Sequence, residues 1–190
     1  MASEAEGFKR ILETLDRMEI PYLVGGSVAS SIYGIPRMTR DVDLVVDLRA
    51  AQIEEFAELL KSDFYADPNM MRDAWRSGRA CNLIHYASAY KFDLFPLKSD
   101  EYSQTQMRRR TYRETRSVAG EPIECAVATA EDTLLNKLSW YRAGGETSER
   151  QWDDVRGILR VQGGALDLEY LQTWAPKLGV ADLLNRLLSE

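Results

Sequence analysis

Asp41 and Asp43 stand two residues apart in the run DVDLVV, so in an extended chain both carboxylates leave one face while Val42 and Leu44 turn to the other. Two acids side by side repel, and a cation between them relieves the repulsion. A third acid, Asp93, interrupts a later apolar run between Phe92, Leu94 and Phe95. A charged side chain in such a setting needs a partner. If the two runs are neighbouring strands, the three carboxylates converge on a patch about 5 Å across. Oxygen-only ligands of this kind suit Mg²⁺, which keeps several waters and takes phosphate oxygens from a substrate. Asp41, Asp43 and Asp93 are therefore the candidate metal ligands and catalytic acids.

A phosphate-sized turn precedes the pair. Gly25-Gly26-Ser27 follows the apolar run Tyr22, Leu23, Val24 and opens a stretch of small residues, the pattern of a strand turning into a helix. Glycines there let a ligand approach the backbone, and the free N–H groups of a helix start attract phosphate. Ser27 can cap the helix or touch a phosphate oxygen. Arg37 and Arg40 lie just before the acids, and Arg108, Arg109, Arg110, Arg113 and Arg116 form a second basic group. Either group suits a triphosphate or an RNA backbone.

The remaining elements must hold these residues in place. Phe8, Ile11, Leu12, Leu15 and Met18 make the stripe of an amphipathic helix that ends before Pro21. Ile53, Phe56, Ala57 and Leu60 repeat it over residues 50–61. Pro68 suits the first position of another helix. Residues 80–86 and 90–95 read as a hairpin joined through 87–89. A polar helix is expected after Pro96, then a strand within the 108–116 segment. Beyond Pro122 the stripes over 131–141, 149–161, 166–174 and 181–188 are all helical. The expected class is α+β: a small mixed, twisted sheet with flanking helices over residues 1–125, then a helical domain over 126–190. Trp140, Tyr141, Trp152 and Trp174 fit helix cores, and His85, within an apolar run, fits a structural role.

Composition narrows the setting. The chain has 190 residues, 45% hydrophobic and 28% charged, which suits a globular protein with a real core. Two cysteines, Cys81 and Cys125, suit buried thiols rather than a zinc site or a disulfide framework. The net charge of −6 argues against a dedicated nucleic-acid coat. No apolar run reaches a membrane span and MASEAEGFKR lacks a signal-peptide core, so a cytoplasmic protein without a membrane partner is expected.

At these residues the sequence resembles a known family. GGS at 25–27, RMTRDVDLVV at 37–46 and KFDLFP at 91–96 are similar to the motifs of the DNA polymerase β-type nucleotidyltransferase superfamily. The small bacterial branch with abortive-infection toxins of the AbiEii type, and related toxin–antitoxin nucleotidyltransferases, is the nearest in pattern. Lys137 in LLNKLSWYR resembles that branch's helical lysine. RQWDDVRGIL at 150–159 resembles its basic–acidic helix, keeping Arg150 and Asp154 but with Gln151 where an acid is usual. The resemblance implies transfer of NMP from an NTP such as ATP to a hydroxyl acceptor, RNA or protein, with an antitoxin as partner. It implies two Mg²⁺ ions on Asp41, Asp43 and Asp93, with the nucleotide held by Gly25, Gly26, Ser27, Arg40 and Lys137. Two other readings keep the same fold: a silent nucleotide- or partner-binding module, and an antibiotic-type nucleotidyltransferase acting on a small molecule.

Overall fold

The structure is a computed structural model that describes residues 4–116, 118 and 122–190. The chain runs α1 (Glu4–Arg17), β1 (Tyr22–Val24), α2 (Gly26–Tyr33), β2 (Asp41–Val46), α3 (Ile53–Leu60), β3 (Phe64–Tyr65), α4 (Pro68–Ser77), β4 (Cys81–His85) and β5 (Lys91–Pro96). It continues through α5 (Glu101–Arg109), β6 (Thr111–Thr115), β7 (Ile123–Val127), α6 (Ala130–Ala143), α7 (Glu149–Gln162), α8 (Leu168–Lys177) and α9 (Ala181–Leu188). The strands form a mixed sheet in the order β3-β4-β5-β2-β1-β7-β6. This is the α+β class that the sequence predicts.

Two pairings set the site. β2 and β5 run parallel, with Asp43 opposite Asp93 and Asp41 opposite Lys91. β4 and β5 are antiparallel, with Asn82 opposite Asp93. Strict alternation makes one face apolar: Val42, Leu44, Phe92, Leu94 and Leu83 are fully buried. Phe8 of α1, Phe56 and Leu60 of α3 and Met71 of α4 belong to the same core. Phe92 is ringed by Phe8, Phe64 and Tyr90 at centroid distances of 6.1, 5.8 and 5.3 Å. The opposite face keeps Asp41, Asp43, Asn82, Lys91 and Asp93 in reach of solvent.

Local signals explain several boundaries. Asp67 caps α4 by accepting from the Asn69 backbone N–H at 2.8 Å, with Pro68 at the first helical position, and Gly78 ends that helix at φ +63°. Asp100, Thr129, Ser148 and Asp167 cap α5, α6, α7 and α8 in the same way. His85 is buried, bonded at Nδ1 to Ser88 Oγ at 2.8 Å, and its ring lies so close to Gly7 that a Cβ there would meet it at 3.0 Å. It is a packing residue, as expected. Cys81 and Cys125 are free and buried.

Two expectations differ from the structure. The division expected between residues 125 and 126 falls inside β7, which lies between β1 and β6 in the sheet. Trp140 is 60% exposed, whereas Tyr141, Trp152 and Trp174 are buried. Most of α6 is buried on more than one side, so its sequence periodicity could not say which aromatic faces outward.

Candidate active site

The turn after β1 is shaped by one contact. Gly26 has φ +54°, and a Cβ built on it would lie 1.8 Å from Asp43 Oδ2. The backbone at Gly26 thus passes directly over the acid, which only glycine permits. Gly25 N–H donates to the Asp43 carbonyl at 2.9 Å and joins the turn to β2. Gly25 occupies the N-cap position of α2 without a side-chain cap. Ser27 is therefore not the cap, which corrects one of its two expected roles. Its Oγ instead accepts from Arg37 Nη2 at 2.7 Å.

Arg37 is the residue that the sequence undervalued. Its guanidinium forks onto Asp154, with Nε to Oδ1 and Nη2 to Oδ2 both at 3.0 Å. Lys137 Nζ donates to the same Asp154 Oδ2 at 2.7 Å, and both Lys137 and Asp154 are buried. Burial pushes the Asp154 carboxyl up, but hydrogen bonds from Arg37 and Lys137 outweigh it and hold the group below its usual range. One carboxylate from α7 thus ties together α6, the 34–40 loop and the start of α2. Lys137, expected to face the nucleotide, spends its hydrogen bond on Asp154, while its positive charge still favours ionisation of Asp43. Arg40 is exposed just before β2, and Arg150 is exposed on α7. The sequence offered a signal for Arg37, since it opens the quoted RMTRD motif, but nothing local ties it to an acid 117 residues away.

The three acids share a face. Burial, then Asp41 and Asp93, push the Asp43 pKa from 3.8 to about 6. Asp41 Oδ1 accepts from Thr39 Oγ1 at 3.1 Å. Asp93 is already partnered, by Asn82 Nδ2 at one oxygen and by Lys91 Nζ at 2.8 Å at the other. Among the described residues no three His, Cys, Asp or Glu side chains stand ready as a cation cage. The convergence expected from strand spacing holds for backbone register and face, while the Asp93 carboxylate is turned to Asn82 and Lys91. In chemistry the set fits a hard cation: the donors are carboxylates, Asp41 and Asp93 repel a charge on Asp43, and an ammonium is already drawn to Asp93.

The second basic group does not form one surface. Arg109 reaches Glu131 at 3.3 Å and Asp132 at 3.5 Å and stacks 3.8 Å from the Tyr170 ring centroid. Arg110 donates to the Met107 carbonyl, and Arg116 pairs with Glu114 at 3.2 Å. β6 is also three strands from β2. A cavity of about 450 Å³ lies between the 31–38 segment and Glu114, Thr115 and Arg116, with Arg37 in its wall.

No family model and no curated protein matches the chain. Solved structures do. The antibiotic-resistance factor ANT(2'')-Ia in solution superposes with a TM-score of 0.53 at 15% identity over 96% of each chain. The fold is that of the nucleotidyltransferases. ANT(2'')-Ia in complex with adenylyl-2''-tobramycin gives 0.51 at 14% identity, covering 90% of this chain and 94% of that one. An antigenic nucleotidyltransferase-like protein from Paracoccidioides brasiliensis gives 0.51 at 18% identity, covering 90% and 88%. Among the described residues no helix is long and apolar enough to cross a membrane.

Proposed function

We propose that this chain is a divalent-cation-dependent nucleotidyltransferase that moves NMP from an NTP to a hydroxyl acceptor. One observation carries the reading: Asp41, Asp43 and Asp93 share the polar face of two parallel strands, with Asp43 directly beneath the glycine turn that opens α2. The fold shared with nucleotidyltransferases supports it. Asp41 and Asp43 would hold Mg²⁺ with the triphosphate, and Asp93 would complete a second site. Bound there, the cations would supply charge neutralisation of the triphosphate and of the departing pyrophosphate.

The protein's own part is positioning. The backbone at Gly25 and Gly26 and the Ser27 hydroxyl would receive the β- and γ-phosphates at the start of α2. Lys137 and Arg40 would add positive charge, Lys137 from within the Asp154 network and Arg40 from the entrance. Asp93, on the outer strand of the pair, would take the acceptor hydroxyl's proton as the acceptor oxygen bonds to the α-phosphorus and the bond to pyrophosphate breaks.

For the acceptor, a small hydroxylated molecule is favoured over RNA, because Arg109 and Arg110 of the second basic group are engaged within the protein. The toxin–antitoxin branch of the resemblance supplies the competing assignment, an RNA or protein acceptor with a partner antitoxin. Incubation with each α-labelled NTP and Mg²⁺, in parallel with aminoglycosides, total tRNA and a cell lysate, tests both. Label is expected on a small hydroxylated acceptor and lost with Asp43→Asn. Label on tRNA or protein instead would move the chain to the toxin-like branch. No transfer to any acceptor would leave a silent module of the same fold.

A further inference from the structure

We propose that Lys91 is an internal counter-cation of the acidic face, a positioning residue that occupies Asp93 until a divalent ion displaces it. The inference rests on the metal-dependent reading above and adds a residue to it. In the parallel ladder Lys91 lies opposite Asp41 and two positions before Asp93, so it shares the face of all three acids. Its ammonium bonds Asp93 Oδ2 at 2.8 Å, and Asn82 from β4 holds the other oxygen. Arg37 and Lys137 are committed to Asp154. The Lys91 side chain is 45% exposed, against 13% for Asp93, so its ammonium can leave the carboxylate for solvent without losing burial.

The consequence is competition. A divalent ion that uses Asp93 must take an oxygen from an ammonium already on it, so the site loads only above a cation threshold set by Lys91. Once displaced, the ammonium stays on a four-carbon stem beside the acids and is free to meet an incoming phosphate.

Mn²⁺ alone, titrated into the full chain without nucleotide and followed by electron paramagnetic resonance of the free ion, tests this. Lys91→Met is expected to bind Mn²⁺ about fivefold more tightly than the native protein, the size of effect a half-exposed ion pair supports. Lys91→Gln should show the same gain and Lys91→Arg none. Adding Asp93→Asn to Lys91→Met should erase it. If Lys91→Met and Lys91→Gln, both folded by circular dichroism, bind no more tightly than native while Asp43→Asn abolishes binding, the role of Lys91 is overturned and the metal reading stands. If neither native nor Lys91→Met protein binds Mn²⁺ at millimolar concentration, both are overturned together.

Discussion

Gly26 and Asp43 are in such close approach that a single methyl group on the glycine would lie 1.8 Å from the carboxylate oxygen. Gly26→Ala must therefore either move the acid or unwind the turn, and it must also hold a side chain at φ +54°. We expect a loss of stability of about 1–3 kcal/mol and loss of nucleotidyl transfer. Gly25→Ala meets nothing within 4 Å and has φ −122°, so it should cost clearly less stability. Urea unfolding of the two variants side by side checks the contrast, and equal losses would contradict the geometry.

Asp43 makes stability depend on pH in a particular direction. Its pKa in the folded state, about 6, lies above its ordinary 3.8, so the folded protein holds a proton that the unfolded chain has released. The favourable contribution is complete below about pH 4 and is lost as pH rises to about 6. Asp43→Asn removes that loss. At pH 7 and low divalent cation it should be more stable than native protein by on the order of 1–3 kcal/mol, with the gap closing towards pH 4. Melting temperatures across pH 4–7 measure it.

Asp154 joins Arg37 and Lys137, and its loss leaves a buried ammonium without a counter-charge. Asp154→Ala is expected to destabilise by about 3–5 kcal/mol. Lys137→Met should cost less, since Arg37 still holds both oxygens of Asp154. In the double variant the two losses should fall well short of adding. Additive losses in denaturant titrations would show that the three side chains do not act as one network.

Arg109 belongs to the scaffold. Asp132 is fully buried and accepts from Tyr170 Oη at 2.7 Å and from Thr129 Oγ1 at 3.1 Å, with Arg109 as its nearby positive charge. Arg109→Ala should lower stability by about 2–4 kcal/mol. Arg113→Ala, on the exposed edge strand, should change it by less than about 0.5 kcal/mol. An RNA-binding role for the cluster would instead make both variants lose RNA affinity in a salt-dependent way without unfolding.

Much of the molecule is legible in the amino-acid order. Alternation in DVDLVV and KFDLFP fixed which side chains share a face, because a strand has no other way to place neighbours. Helical stripes located most helices, and the glycine pair marked a turn where the backbone allows close approach. These signals are local, written within one or two turns of chain. Tertiary structure decided the rest through contacts between distant segments. It placed β7 in the sheet, chose Trp140 as the exposed aromatic, drew Arg37 and Lys137 onto Asp154, and set Lys91 and Asn82 against Asp93. A charged side chain takes the partner that folding brings within about 3 Å, and sequence spacing says little about which of several acids that will be.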